Sequence, residues 1–221
     1  MGQQEIILII FSILFFVFSG IDFFFCFKSE LYRKIFKCFP LLLLIILVAI
    51  IVPNEPLIYT AFICGMIGDF LLISWNKKIF LVGTAFFLAE HILLSTRLYL
   101  YGNFNLEWPF YMVCAGSLLL VLFFSYIFVS KYLKPVFLIS LSCYLYMLLM
   151  NLVLMIAISI TKNNNYFIIG TFGYLLFIIS DFLVMQKRFI KKQKFHQPTI
   201  MATYYTAQYF IALTFLLVLV F

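Results

Sequence analysis

The chain has 221 residues, of which 66% are hydrophobic and 10% charged, and its formal net charge is +7. An average soluble domain is about 25% charged, so this composition excludes an ordinary soluble domain and indicates a polytopic helical membrane protein. The basic residues stand in short clusters between apolar runs, where they report topology, which argues against nucleic-acid binding. The five cysteines form no C-x-x-C pair and predict neither a disulfide framework nor a thiolate metal site.

Eight apolar segments follow one another, and each is too long and too continuously apolar for a barrel strand. They are Ile6 to Phe24, Phe39 to Val52, Leu57 to Trp75, Ile79 to Tyr101, Trp108 to Val129, Pro135 to Ile160, Tyr166 to Met185 and Thr199 to Phe221. The second is short and is expected to begin nearer Ile35. The first has neither the basic start nor the A-x-A exit of a cleaved signal peptide. We therefore predict an all-α transmembrane bundle of about eight spans, forming one domain over residues 1–221.

The positive charges predict the orientation of this bundle. Of the 15 Lys and Arg residues, 13 lie in the first, third, fifth and seventh loops. By the positive-inside rule these loops are cytoplasmic and both termini are not. We expect a multi-pass protein of the bacterial inner membrane.

Two aspartates lie deeper inside predicted spans than Asp22, which is close to the end of the first. At ~1.5 Å per residue, Asp69 is about 9 Å from the cytoplasmic end of the third span, and Asp181 is about 6 Å from that of the seventh. A carboxylate within the bilayer costs on the order of 2.5 to 3.5 kcal/mol, so its presence is by default a functional hypothesis. The alternative is a structural hydrogen bond or a snorkelling carboxylate, but short side chains snorkel poorly. Both aspartates are therefore candidate catalytic residues.

Further polar residues gather in the same half of the membrane. Tyr204, Tyr205 and Gln208 lie roughly 7 to 13 Å into the eighth span, and their spacing places Tyr204 and Gln208 on one helix face. Glu90 and His91 lie about 17 Å deep in the fourth span. This distribution is what a single cavity opening towards the cytoplasm would give.

A repeated pattern links the two aspartates. The third span contains G-x-x-G-D-F-L from Gly65 to Leu71, and the seventh contains F-x-x-S-D-F-L from Phe177 to Leu183. The spans that follow them also align, with Glu90 matching Gln208. The pattern predicts a 4+4 parallel internal repeat, a known way to build a site between two membrane halves.

Structural roles are the alternative for several of these residues. Small residues of the spans are interpreted first as positions of close helix packing: Gly65, Gly68, Gly173 and Ser180. Tyr204 and Tyr205 could instead belong to an interfacial aromatic belt. Asp22, near the cytoplasmic end of the first span, is expected to reach water. Glu90 and His91 could form a polar pair within the bundle.

The ordered motifs resemble those of the YhhN family of integral membrane proteins, the lysoplasmalogenases. The matching motifs are Gly65-x-x-Gly68-Asp69, Phe80-Leu81-x-Gly83-x-x-Phe86-x-x-x-x-His91, Gly173-x-x-x-Phe177-x-x-Ser180-Asp181 and Thr203-Tyr204-Tyr205-x-Ala207-Gln208. Lys37-x-x-Pro40 is similar to that family's lysine-proline element. The resemblance covers essentially the whole chain, and the departures from it are Cys38, Glu90 and Leu94.

The resemblance implies hydrolysis of the vinyl ether of a lysoplasmalogen to a fatty aldehyde and a glycerophospho-alcohol. This chemistry needs an acid that protonates carbon and an anion that stabilises the cation and activates water. Asp69 and Asp181 would share these roles in either order. The substrate-binding residues would be Lys37, Glu90, His91, Ser180, Tyr204, Tyr205 and Gln208, with Lys37 and the basic loops suited to the phosphate. The expected partners are a lysophospholipid substrate and membrane lipid, with no cofactor and no metal.

Two other functions are compatible with the same residues. Intramembrane acids, a tandem repeat and short loops also suit a proton-coupled transporter of small molecules or lipids. A structural or lipid-binding protein whose acids only hold helices together is the third possibility.

Overall fold

The computed structural model describes residues 2–28, 30–74, 76–103, 108–124, 126–127, 135–190 and 195–220, and over these residues it is helical without a strand. This confirms the all-α prediction. A π-helical turn, Gln186–Ile190, follows the eighth helix. The helices are α1 (Gln3–Lys28), α2 (Glu30–Phe36), α3 (Phe39–Ile51), α4 (Pro56–Leu72), α5 (Lys77–Gly102), α6 (Trp108–Phe124), α7 (Pro135–Thr161), α8 (Tyr166–Met185) and α9 (His196–Val220).

Each of the eight predicted segments coincides with one of these helices, with α2 extending the second segment backwards. In the described part of the chain, six helices are long and apolar enough to cross a membrane, one of them running from Lys34 to Ile51. The chain is thus a multi-pass membrane protein. Helix α4 and the Cys114–Phe123 part of α6 are apolar but shorter, so the count of eight spans stays a prediction. The predicted ends at Trp75, Val129 and Phe221 lie outside the described residues.

Local sequence signals define the hairpin of α4 and α5. Pro56 occupies the first position of α4, where its missing N–H costs nothing. The side chain of Asn76 accepts a hydrogen bond of 2.9 Å from the backbone N–H of Lys78 and so caps α5. Helix α5 ends at Gly102 and is followed by Asn103, which has a left-handed φ of 45°. The connection between Leu72 and Lys77 is short, so the two helices pack against each other as neighbours.

Six helices contact one another in a closed ring, in the order α3, α4, α5, α7, α8, α9 and back to α3. Helix α1 packs outside this ring against α3 and α9, and α6 packs outside it against α7. Only Phe15 and Asp22 are buried in α1. The two halves of the chain contribute corresponding helices to the ring. This contact order is compatible with the 4+4 repeat, which stays a prediction.

Small residues allow the closest helix crossings. A Cβ atom on Gly68 would lie 2.8 Å from the Phe87 ring and 3.2 Å from the carbonyl oxygen of Gly83. In the second half, a Cβ atom on Gly173 would lie 3.1 Å from the carbonyl oxygen of Ala207. Such distances leave no room for a side chain, which confirms the packing interpretation at these positions. The α4–α5 and α8–α9 pairs are therefore the most intimate contacts of the bundle.

Candidate active site

A cavity of about 130 Å³ lies where α4 and α8 end and where α5 and α9 begin. This is the end of the bundle that carries the predicted cytoplasmic loops. Its lining combines apolar side chains of α4, α5, α7, α8 and α9 with a smaller polar set. Five of the predicted site residues line it, and the structure thereby brings both aspartates into one cavity: Lys37, Asp69, Ser180, Asp181 and Tyr204.

Asp69 is buried and fully engaged. The Nζ atom of Lys37 lies 2.9 Å from Asp69 Oδ1, and the Tyr204 hydroxyl donates a hydrogen bond of 2.8 Å to Asp69 Oδ2. Lys37 Nζ also donates to the backbone carbonyl of Asp69 at 3.1 Å, one of the last carbonyls of α4, which lack helical partners. Lys37 itself is only 6% exposed. A cation on one oxygen and a hydroxyl on the other favour the ionised form of this carboxyl.

Asp181 has simpler surroundings. Its Oδ2 atom accepts a short hydrogen bond from the hydroxyl of Tyr144 on α7. In the described part of the chain, Asp181 forms no ion pair. Its side chain is half-buried and lines the cavity. The hydrogen bond from Tyr144 favours the carboxylate, whereas burial penalises the charge. Without the lysine that Asp69 has, Asp181 is the carboxyl of the two that burial more readily keeps protonated.

Gln208 and Glu90 support Tyr204 from outside the cavity. The Nε2 atom of Gln208 donates to Glu90 Oε1 at 2.9 Å and to the Tyr204 hydroxyl oxygen at 3.2 Å. Because that oxygen accepts from Gln208, its own proton is directed to Asp69. Glu90 and Gln208 are completely buried and do not line the cavity. Their place is one layer behind the residues that a substrate could touch.

The second tyrosine of the α9 pair reaches a different aspartate. The Tyr205 hydroxyl donates to Asp22 Oδ2 at 2.9 Å and to the backbone carbonyl of Lys37 at 3.1 Å. Asp22 is 0% exposed, so the prediction that it reaches water was wrong. Tyr204 and Tyr205 are 4% and 3% exposed, which also excludes an interfacial belt. Helix α9 thus donates to carboxyl groups on three helices: Asp22 of α1, Asp69 of α4 and Glu90 of α5.

His91 packs among aromatic rings instead of pairing with Glu90. It is 0% exposed, and neither ring nitrogen has a hydrogen-bond partner in the described ranges. Its ring centroid lies 4.8 Å from that of Phe177 and 5.6 Å from that of Tyr144. The expected Glu90–His91 pair is therefore not formed. His91 contacts Tyr144 but does not itself line the cavity.

Ser180 combines packing with a place in the cavity wall. Its Oγ atom donates a hydrogen bond of 3.3 Å to the carbonyl oxygen of Ile200 on α9. This bond ties α8 to the first turns of α9 directly beside Asp181. The small side chain keeps the two helices close, as expected from sequence.

Sequence reasoning missed several residues that line the cavity, namely Tyr144, Lys187, Arg188 and Gln197. Tyr144 is nine residues into α7, or about 13 Å, which is the depth predicted for Gln208. Estimating depth along the sixth segment in the same way would have identified Tyr144. Lys187 and Arg188 were counted among the basic loops suited to the phosphate but not named as site residues, because their direction relative to the helices depends on the turn after α8.

Comparison with known proteins identifies the family of the chain. The model of the YhhN family matches residues 32–215, which is most of the chain. No curated protein and no solved structure matches. The matched range contains both aspartates of the cavity together with Lys37, Tyr144 and Tyr204.

Proposed function

This chain belongs to the YhhN family, and on that premise we propose that it is a lysoplasmalogenase. The reaction is hydrolysis of the vinyl ether of lysoplasmenylcholine or lysoplasmenylethanolamine to a fatty aldehyde and the glycerophospho-alcohol. The observation that carries this proposal is the presence of two differently partnered carboxyl groups, Asp69 and Asp181, in one cavity. General acid–base chemistry needs such a division of protonation states.

The partners of the two carboxyls favour one assignment of roles. Asp181, with a neutral hydroxyl on Oδ2, carries the proton and is the general acid. Asp69, held by Lys37 and Tyr204, is the anion. Tyr144 occupies the Oδ2 atom of Asp181, so the proton stands on Oδ1, which leaves it available for transfer.

The reaction then follows with atoms and charges balanced. Asp181 transfers its proton to the β-carbon of the vinyl ether, and an oxocarbenium ion forms next to the Asp69 carboxylate. Water adds to the α-carbon and gives a proton to Asp69, which produces a hemiacetal. The bond between the α-carbon and the glycerol oxygen breaks as Asp69 returns that proton to the oxygen, while the hemiacetal hydroxyl gives its proton to Asp181. Both carboxyls are restored and no cofactor is consumed.

The apolar surroundings suit the rest of the substrate. The alkenyl chain would lie among the bundle's apolar side chains, and the polar end would lie at the mouth of the cavity. By the positive-inside rule this mouth faces the cytoplasm, and we place the protein in the bacterial inner membrane. A lipid could then enter from the cytoplasmic leaflet.

The test is release of fatty aldehyde from lysoplasmenylcholine and lysoplasmenylethanolamine by purified protein in detergent. We expect Asp69→Asn and Asp181→Asn each to lower kcat by about 10² to 10⁴, the usual weight of a general acid or base. The matched control is Asp22→Asn, which alters a buried, tyrosine-bound aspartate outside the cavity. Per mole of folded protein it should keep far more activity than the two cavity variants, because Asp22 does not line the cavity.

Absence of aldehyde release by the wild type, together with lipid or small-molecule flux in proteoliposomes, would instead support the transporter. Release of aldehyde that survives in both cavity variants would overturn the assignment of the two aspartates and leave the activity itself in place.

A further inference from the structure

Two cations line the cavity just beyond the end of α8, the helix that carries Asp181, and this end of the cavity is here called its mouth. Lys187 and Arg188 belong to the π-helical turn Gln186–Ile190 that directly follows α8, and both line the cavity. Arg188 follows Asp181 by seven residues, which corresponds to about 10 Å of helix. One wall therefore carries a carboxyl in the interior and positive charge at the opening.

Arg188 is held in position by the first turn of α5 and by the connection that precedes it. Its guanidinium carbon lies 3.9 Å from the centre of the Phe80 ring, and its Nη2 atom donates a hydrogen bond of 3.3 Å to the carbonyl oxygen of Ser74. The ring of Phe189 packs edge-on against Phe80 at 5.9 Å between centroids. The turn after α8 is thus fastened across the mouth, and the guanidinium is pre-positioned there.

The other cation of the cavity has a different task. Lys37 is buried and contacts both a carboxylate oxygen and the backbone carbonyl of Asp69. Moving it to a phosphate would leave a buried carboxylate without its counter-ion, which is strongly unfavourable. The expectation that Lys37 binds the substrate phosphate therefore conflicts with its role beside Asp69. Among the described residues that line the cavity, the other cations are Arg188 and Lys187, whose Nζ atom donates a hydrogen bond to Gln197 Oε1.

We infer that the mouth formed by Lys187 and Arg188 binds the phosphate group of a lysophospholipid. This inference rests on the proposed function and names the part of the substrate that is recognised. Guanidinium groups suit phosphate because they donate paired, charge-assisted hydrogen bonds. Arg188 and Asp181 are thus about 10 Å apart along the backbone, so one lysophospholipid headgroup and its ether could reach both ends of this wall. A phosphate at the mouth would therefore place the ether near the two carboxyls.

The recognition should be measured as binding, separately from turnover. The ligands are 1-O-alkyl-lysophosphatidylcholine, whose saturated ether has no double bond to protonate, and the uncharged 1-O-alkylglycerol. We expect the wild type to bind the phospholipid about tenfold or more tightly than the alkylglycerol, the value of one charge-assisted hydrogen bond. Arg188→Gln and Lys187→Gln should each remove most of this preference without lowering the affinity for the alkylglycerol.

Two further variants separate recognition from structure. Arg188→Lys keeps the charge and should keep much of the preference for the phospholipid. If Arg188 acted only by packing on Phe80, Arg188→Lys and Arg188→Gln should lose the preference equally. Lys162→Gln changes an exposed lysine in the connection between α7 and α8 and should leave both affinities unchanged. Equal binding of the two ligands by the wild type, or an unchanged preference in Arg188→Gln, overturns the inference.

Competition experiments show whether the site binds the phosphate of a lipid or a soluble phosphate. Glycerol 3-phosphate and inorganic phosphate should displace the alkyl lysophospholipid only at concentrations far above its own Kd. Displacement by either at a comparable concentration would overturn the assignment to a lipid and indicate a site for soluble phosphates. Because no step of this test requires aldehyde release, failure of the hydrolysis proposal and failure of this inference give different results.

Discussion

The two aspartates of the cavity occupy corresponding places in two similar helix pairs and yet have opposite surroundings. Each lies near the end of the first helix of its pair, Asp69 in α4 and Asp181 in α8. Asp69 is matched by a buried lysine and a tyrosine, whereas Asp181 is matched by a tyrosine alone. The helices provide the same depth for both carboxyls. The partners on other helices decide which one is held as an anion.

Removal of the lysine should have the largest effect on this difference. Lys37→Met leaves Asp69 as a buried carboxylate without a cation, and breaking a buried pair on one side costs about 3 to 5 kcal/mol. We expect a loss of that size in unfolding free energy in detergent, together with loss of aldehyde release. The double variant Lys37→Met, Asp69→Asn should recover most of the stability and none of the activity. A Lys37→Met protein as stable as the wild type would contradict the ion pair.

Replacing the tyrosine beside each carboxyl should lower activity by different but smaller factors. A hydrogen bond to a charged group contributes about 1.5 to 3 kcal/mol and one between neutral groups about 0.5 to 1.5 kcal/mol. Tyr204→Phe, next to the anion, should therefore lower kcat/KM about 10-fold to 100-fold. Tyr144→Phe, next to the neutral acid, should lower it only about 2-fold to 10-fold. The reverse order of the two effects would exchange the acid and the anion.

A substitution at the crossing of α4 and α5 tests whether stability requires these two helices to pack so closely. Gly68→Ala places a Cβ atom 2.8 Å from the Phe87 ring, and overpacking of this kind costs about 1 to 3 kcal/mol. Gly116→Ala in α6 is the control, since no atom lies within 4 Å of the added Cβ. We expect thermal unfolding in detergent to shift downwards for Gly68→Ala only. Equal stability of the two variants would show that α4 and α5 can separate at no cost.

The smallest change is expected one layer behind Asp69. Glu90→Gln preserves the size of the side chain and an oxygen that accepts from Gln208, so the hydroxyl of Tyr204 keeps its direction. Because Glu90 does not line the cavity, kcat and KM should each change by less than about threefold. A large rise in KM with kcat unchanged would place Glu90 in direct contact with the substrate.

The sequence was sufficient to predict the depth of each polar residue in the membrane, because depth depends only on position along a helix. Depth estimates placed Asp69, Asp181 and Tyr204 in one half of the membrane, and all three line the cavity. Depth does not specify which helices are neighbours. Lys37 was therefore expected at the surface and Asp22 in water, although both are buried by contacts with helices far away in the chain. Long-range pairs of this kind arise only once the ring of helices is closed.

Helix α9 has a consequence for how the protein is made. Its Tyr204, Tyr205 and Gln208 side chains donate to carboxyl groups of α4, α1 and α5, all of which are synthesised earlier. A ribosome therefore delivers three acidic residues into the bilayer before these donors exist, and of the three Asp69 already has Lys37 as a partner. A chain truncated before α9 would lack these hydrogen bonds and would be more exposed to quality-control proteases. Assembly of the site therefore depends on insertion of α9.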